Sequence, residues 1–250
     1  MLKHADFGEA DRLLTVYSRE AGKLRALAKG ARKPRSRKAG HLEPFTRVSL
    51  LVATGRSFHI ISQAETIDAN AAVSQDLVAL GYASYIVELL ERFTPDEDQN
   101  QALYRLLRDT LGRLATENDP ELVVRYYEMR LLDQVGFRPQ LLNCLGCGAE
   151  IQAEDQYFSI QQGGILCPSC GRRVPAARPI SLAALKVLRH LQRSSYAEAA
   201  RAKPNKSTHA ELETLMNHYL TYLLERGLNS PRFLRRMRSD ARPKPDQEEV

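Results

Sequence analysis

No stretch of the sequence approaches the roughly 20 consecutive apolar residues that cross a bilayer, so a spanning helix is excluded. The opening MLKHADFGEADR carries acids and no apolar centre, which argues against a secretory signal. Leu2 stands where myristoylation needs glycine, and the final residues do not form a prenylation box. These absences set the expectation of a cytoplasmic protein with no membrane partner. Cysteine is scarce. The four present all lie between Cys144 and Cys170, unlike the scattered cysteines of a secreted disulfide scaffold. Catalytic signatures are missing as well: no P-loop, GxGxxG, HExxH or GxSxG string occurs. The six histidines are scattered and never paired at i, i+4, and no internal repeat is visible.

What is present is a 250-residue chain, 43% hydrophobic and 26% charged, which is too apolar for a disordered protein. Its net charge of +6 permits a polyanionic partner. The distribution says more than the total. Residues 1–75 hold 13 basic against 7 acidic side chains, 76–133 hold 6 against 12, and 134–250 hold 17 against 11. Two basic ends therefore flank an acidic middle.

Asp11–Arg19 reads as a strand, Glu20-Ala21-Gly22 as a tight turn, and Lys23–Ala31 as a second strand. The latter alternates Leu24, Ala26 and Ala28 with Lys23, Arg25 and Lys29, the period of a half-buried strand with a basic outer face. Leu27 is the exception. Thr46–Ala53 and Phe58–Glu65, joined by Thr54-Gly55-Arg56-Ser57, form a second hairpin, so a small barrel of about five strands is expected. From Ser74 the apolar spacing becomes helical, with three helices reaching Val135. Ser74, Asp96 and Asp119-Pro120 stand where N-caps and an N1 proline belong, and Gly136 where a C′ residue belongs. Leu182–Leu191 and Ala210–Arg226 also read as helices, the second ended by Gly227. The expected class is α+β and multidomain: a barrel over 1–72, a helical domain over 73–140 and 180–238, a cysteine-bearing insert over 141–179, and a disordered tail over 239–250.

Cys144, Cys147, Cys167 and Cys170 make a C-x2-C-x19-C-x2-C pattern. Two residues between cysteines let both sulfurs face one point, and the following Gly148 and Gly171 suit an αL turn. Two such knuckles give a tetrahedral four-sulfur site suited to one structural Zn2+, with no coordination position left for water. A pair of disulfides or a rubredoxin-like iron are the alternatives. Phe158–Leu166, with Gly163-Gly164 inside, would cross between the knuckles as a hairpin.

Lys23–Lys38 contains eight basic residues and no acid: Lys23, Arg25, Lys29, Arg32, Lys33, Arg35, Arg37 and Lys38. Its Pro, Ser and Gly content marks a flexible loop. A basic loop on a small barrel suits a phosphate backbone, whose neutralisation releases counterions, and offers little base readout. A solvated loop that only aids solubility is the plainer reading. Tyr17, Phe45 and Phe58 are candidates for base stacking, or for the core. Asp96-Glu97-Asp98 could hold Mg2+ in a nuclease, though capping a helix start is the simpler role.

Three separated strings resemble one family. Gly8–Phe45 (GEADRLLTVYSREAGKLRALAKGARKPRSRKAGHLEPF), Tyr126–Pro139 (YYEMRLLDQVGFRP) and Asn217–Leu234 (NHYLTYLLERGLNSPRFL) are similar to the bacterial RecO recombination mediators. The resemblance implies an N-terminal OB-fold barrel, a helical domain and a zinc insert. It implies DNA repair without catalysis, binding of single- and double-stranded DNA, strand annealing, and loading of RecA with RecR onto strands coated by single-stranded DNA-binding protein (SSB). An indirect link to RecF is also implied. By position, phosphate contacts fall on the eight basic residues above and zinc on the four cysteines. The acidic SSB tail is expected on the helical domain, with Arg125, Tyr126 and Arg130 as its rim, against a packing role for the same three. Family members usually carry several residues before the position of Met1, so either the start given is too late or the barrel has a short edge strand. A zinc-ribbon RNA-binding or translation-associated protein and a metal-dependent nuclease are the competing classes.

Overall fold

The computed structural model describes residues 1–55, 58–225 and 230; the expected turn residues Arg56 and Ser57, the helix end at Arg226 and Gly227, and the tail over 239–250 lie outside them. The chain divides into two compact units, built on Met1–Thr116 and Glu117–Gly227.

The first unit opens with strands β1 (Lys3–Phe7), β2 (Asp11–Ser18), β3 (Gly22–Ala28), β4 (Arg47–Ala53) and β5 (His59–Asp68). They form one sheet in the order β1-β2-β3-β5-β4, antiparallel except where β3 meets β5. That order is the OB barrel expected from the sequence. Alternation sets its inside. Leu14, Val16, Leu24, Ala26, Ala28 and Ile61 share one buried cluster, with Ala31 and Leu42 anchoring the connection from β3 to β4. The irregular position Leu27 pairs across strands with Leu13 and is itself buried on the other face, at 8% exposure. It breaks the basic stripe because it packs there.

Helices α1 (Ala71–Gln75), α2 (Leu77–Phe93) and α3 (Gln101–Thr116) complete this unit. Two of the expected caps move. Ser74 lies inside α1, and the α2 cap is Asp76, whose extended backbone lets its carboxylate accept the Val78 and Ala79 N–H groups at 2.7 and 3.0 Å. Asp96 caps nothing. The next helix starts five residues later, where the Asn100 side chain accepts the Leu103 N–H at 2.9 Å.

The second unit contains α4 (Pro120–Gln134), β6 (Gln156–Ser159), β7 (Gly164–Leu166), α5 (Pro168–Gly171), β8 (Arg178–Ile180), α6 (Leu182–Arg193), α7 (Tyr196–Ala199) and α8 (Lys206–Leu223). Asp119 and Pro120 start α4 as expected, with the carboxylate 2.9 Å from the Leu122 N–H. Gly136, at φ +83, ends it, and the Phe137 N–H returns to Leu132 O at 2.8 Å. Helices α4, α6 and α8 pack on one another around Leu131, Leu132, Leu185, Leu188, Leu212 and Leu220. The expected hairpin is β6–β7, with Phe158 opposite Ile165; β8 adds a third strand.

One glycine fixes how barrel and helices join in the first unit. Gly22 takes φ +63, and a Cβ there would lie 1.9 Å from Asp98 O. Gly22→Ala is expected to lose more than about 2 kcal/mol, combining left-handed strain with displacement of the 96–98 loop. Urea unfolding checks this; a loss below about 0.5 kcal/mol, the range of ordinary surface substitutions, contradicts the packing described.

Candidate nucleic-acid interface and metal centre

The connection from β3 to β4 is a series of turns rather than an open loop. Lys33 N–H donates to Gly30 O at 3.2 Å and Ser36 N–H to Lys33 O at 2.9 Å, followed by a 3-10 turn over Ala39–His41. It is pinned to the start of β2 by the Arg32 N–H on Ala10 O (2.9 Å) and the Gly30 N–H on Asp11 Oδ1 (2.7 Å). Arg25, Lys29, Lys33, Arg35 and Arg37 are exposed, and their side chains have no partner among the described residues. The fold thus presents five free cations on one strand and the turns that follow it.

The other three have assignments within the protein. The Lys23 ammonium is largely buried, donates to Glu91 O at 2.7 Å and Thr94 O at 2.6 Å, and lies 3.2 Å from Asp96 Oδ1. It satisfies carbonyls at the C-terminal end of α2 that have no helical partner of their own. This removes it from the expected phosphate-binding set, because exposing it would strip those carbonyls. Arg32 donates to Glu9 O at 3.3 Å and pairs with Asp6 at 3.3 Å, while Lys38 donates to Ile61 O at 3.1 Å. Both remain at the surface.

Of the three candidate stacking rings, Tyr17 and Phe45 are core, at 6% and 8% exposure. Burial, then the Asp98 charge, pushes the Tyr17 hydroxyl up to about 12. Phe58 is half-buried and meets Phe7 edge to face, centroids 6.0 Å apart at 75°. Phe7 was not singled out in the sequence, yet it is an exposed large apolar residue. The acidic triplet is dispersed into local pairs: Asp96 faces Lys23 and Glu97 faces His59 at 3.3 Å. Among the described residues the clustered metal-ligating group is the four cysteines, and the acidic triplet is not gathered into such a group.

The four sulfurs lie within 4.8 Å of one another and are not joined as disulfides. Two amides point at Cys144 Sγ, from Cys167 at 3.2 Å and Gly146 at 3.4 Å. Burial pushes the Cys144 thiol up, but backbone N–H donors at Cys167, Cys147 and Gly146 outweigh it and hold the group down at about 6. Hydrogen bonding to the Cys167 sulfur, then burial, pushes Cys170 up to about 12. A dication shared by the four reverses that penalty. The donor set therefore fits a metal ion. The two glycines differ: Gly148 takes φ +74 as expected, but Gly171 does not take positive φ. Gly171 is required for a different reason, since a Cβ there would lie 2.3 Å from the Tyr157 ring. The cluster is tied to the helices by Arg189 Nε on Leu141 O (2.9 Å) and by Phe158 against Tyr219, 5.4 Å between centroids.

The three expected rim residues on α4 are mainly internal. Arg125 is 6% exposed, pairs with the fully buried Glu128 at 2.9 Å and reaches Leu212 O. It cannot serve a docking rim. Tyr126 is 8% exposed, packs edge to face on Tyr196 and carries the Arg130 guanidinium 5.1 Å from its ring centroid. Arg130 also donates to Gln192 O and Ser194 O. Arg125→Ala is expected to cost about 3–5 kcal/mol by removing one side of a buried ion pair. Urea unfolding reads this out, and a loss under about 1 kcal/mol contradicts a buried pair.

Two family models match the chain in succession: Recombination protein O N terminal over residues 1–70 and Recombination protein O C terminal over 74–232. A DNA repair protein RecO from Roseiflexus is 40% identical over 234 residues, covering 94% of this chain and 82% of its own. The RecO of Desulforamulus reducens is 38% identical over 95% of this chain and 92% of its own, and that of Symbiobacterium thermophilum 33% over 96% of each. An OB barrel followed by helices that carry a four-cysteine cluster, matched in that order over residues 1–70 and 74–232, makes this chain a member of the recombination protein O family.

Proposed function

We propose that the chain is a non-enzymatic mediator of DNA repair and homologous recombination. In this reading it binds single- and double-stranded DNA, anneals complementary strands, and works with RecR to load RecA onto SSB-coated strands in the bacterial cytoplasm. The observation that carries it is the set of five free cations, Arg25, Lys29, Lys33, Arg35 and Arg37, on the barrel. Flexible cations on turns contact phosphates and do not read base edges, so the affinity is largely independent of sequence. Two strands that approach the same cations have their mutual repulsion screened, which speeds pairing. Family membership supports the DNA partner, and an indirect link to RecF goes with the same pathway.

Salt dependence tests this. With five phosphate contacts, the log affinity for a short single strand should fall with log salt at a slope of about −3.5. The Arg35→Glu/Arg37→Glu variant should flatten it by about 1.4. Lys23→Met should lower the melting temperature by leaving two carbonyls without a donor, but in the protein that remains folded it should leave the slope unchanged, since its ammonium is occupied within the fold. Affinity indifferent to salt, or a tighter hold on RNA than on DNA, sinks the reading.

The metal in this reading is one structural Zn2+ held by Cys144, Cys147, Cys167 and Cys170. Four soft thiolates fill a tetrahedral shell and leave no open position for catalysis. When bound, the ion ties the two knuckles together. Purified protein should carry one zinc per chain; a chelator or Cys144→Ser should remove it and lower the melting temperature. Iron, or an unchanged melt without metal, rejects the assignment. For an SSB tail, the half-buried Arg130 beside Tyr126 is the remaining candidate contact on α4.

A further inference from the structure

Helix α3, the end of β2 and most of β4 enclose a groove of about 670 Å3 in the first unit. Its floor is apolar, with Val16, Leu24, Leu50, Leu107 and Leu111. Its rim carries Arg19, Arg47, Arg105 and Arg108 against two carboxylates, Glu20 and Asp68. Glu20 is paired with Arg19 at 2.7 Å, whereas Asp68 accepts the Asn70 N–H at 2.9 Å, keeps its charge and stands across the ladder from Arg47. Arg108 pairs with its neighbour Asp109. Arg47 and Arg105 are exposed, and their guanidiniums have no partner among the described residues. The Tyr17 ring borders the groove, and its buried hydroxyl makes no hydrogen bond. The half-buried Tyr104 stands at the same wall.

Two unpaired guanidiniums over an apolar floor call for a ligand that is both anionic and flat. A single nucleic-acid strand meets both demands: phosphates for the arginines, and unstacked bases for the floor and the half-buried Tyr104 ring. A duplex keeps its bases stacked inside and meets only the first demand. The position matters too. The basic turns are pinned at the start of β2, at Ala10 and Asp11, whereas the groove lies at its end, at Tyr17 and Arg19. The eight residues of β2 separate the turns that carry Lys29, Lys33, Arg35 and Arg37 from the groove by roughly 25 Å, with Arg25 of β3 standing between them.

We propose that this groove is a second single-strand site, in which Arg47 and Arg105 hold the backbone while the apolar floor takes unpaired bases. It rests on the reading of the basic turns as a nucleic-acid site. Together the two sites keep two strands on one unit, each on its own cations, so that pairing begins between strands already held side by side.

The test uses the full chain with two differently labelled, non-complementary single strands, and then with a complementary pair. The wild type should hold two strands and anneal the pair. Arg47→Glu/Arg105→Glu should retain the first strand, lose the second, and slow annealing by about tenfold or more. Arg47→Lys/Arg105→Lys should keep both strands. Both positions are exposed, so the variants should melt with the wild type, and a melt identifies any that do not. A charge-reversed variant that still holds two strands overturns the proposal. So does one that keeps the second strand but loses a polyglutamate peptide, since the groove would then be a site for acidic peptide. A wild type that binds one strand, through the turns alone, sinks this proposal only; a wild type that binds none sinks the reading beneath it as well.

Discussion

An ammonium taken out of water must be solvated by the protein, and in the first unit that requirement falls on Lys23. Its Nζ finds two carbonyls at the end of α2 and the carboxylate of Asp96. The bonds couple β3 to a helix that begins more than fifty residues later and bring the 94–98 segment against the barrel. The Glu97 N–H on Lys23 O, at 2.7 Å, and the close seat of Gly22 against Asp98 O follow from that docking. The first cation of the basic stripe therefore builds the unit, and the cations after it on β3 and the turns stay available. The same rule operates in the second unit. Arg125, buried in α4, takes Glu128 as its partner, while Arg130, one turn further, keeps part of its surface.

The sulfur cluster works as a constraint of another kind. The 25 residues from the start of β6 to the end of β8 contain only ten in strands, too few for a core of their own. Convergence of four cysteines fixes the knuckles, and the helices supply the rest of the support. Tyr219 of α8 donates to Phe137 O at 3.0 Å and packs on Phe158, and its hydroxyl lies 2.9 Å from where a Cβ on Gly163 would stand. The insert is thus built against α8 as much as around its cysteines. This is why a residue far outside the cysteine pattern is needed to hold it.

The features legible in the sequence are those encoded over a few residues. The alternation of β3, the Asp119-Pro120 start, the Gly136 stop and the cysteine spacing each carry their own geometry, and each stands in the structure as expected. The misreadings come from competition between partners. Asp96 looks like a cap because it precedes a helical pattern, but a buried lysine 73 positions earlier attracts it more strongly than a helix start does. Gly171 looks like an αL residue because it follows a cysteine, yet the ring of Tyr157 is what forbids a side chain there. Leu27 looks like an error in a basic stripe until Leu13 is placed opposite it. The groove could not be read at all: Arg47 and Arg105 are 58 positions apart, and nothing local in either segment announces the other.

That groove also shows why charge counted along the chain misleads. Residues 76–133 are net acidic, and as a window they repel a polyanion. The fold distributes that charge unevenly. Glu88 is bound by Ser230, Glu91 by Lys3, Asp96 by Lys23 and Glu97 by His59. These acids neutralise cations of the barrel or satisfy donors nearby. The arginines of the same window are not matched one for one, and Arg105 on α3 is left without a counter-ion beside Arg47 of β4. An acidic stretch of sequence thus contributes to a cationic rim. Pairing at short range removes the acids from the long-range field, because a close ion pair looks nearly neutral from beyond a Debye length of about 8 Å at physiological salt. A polyanion would therefore respond to charges the fold leaves unpaired, which in the described part of the first unit include five on the turns and β3 and two more at the groove.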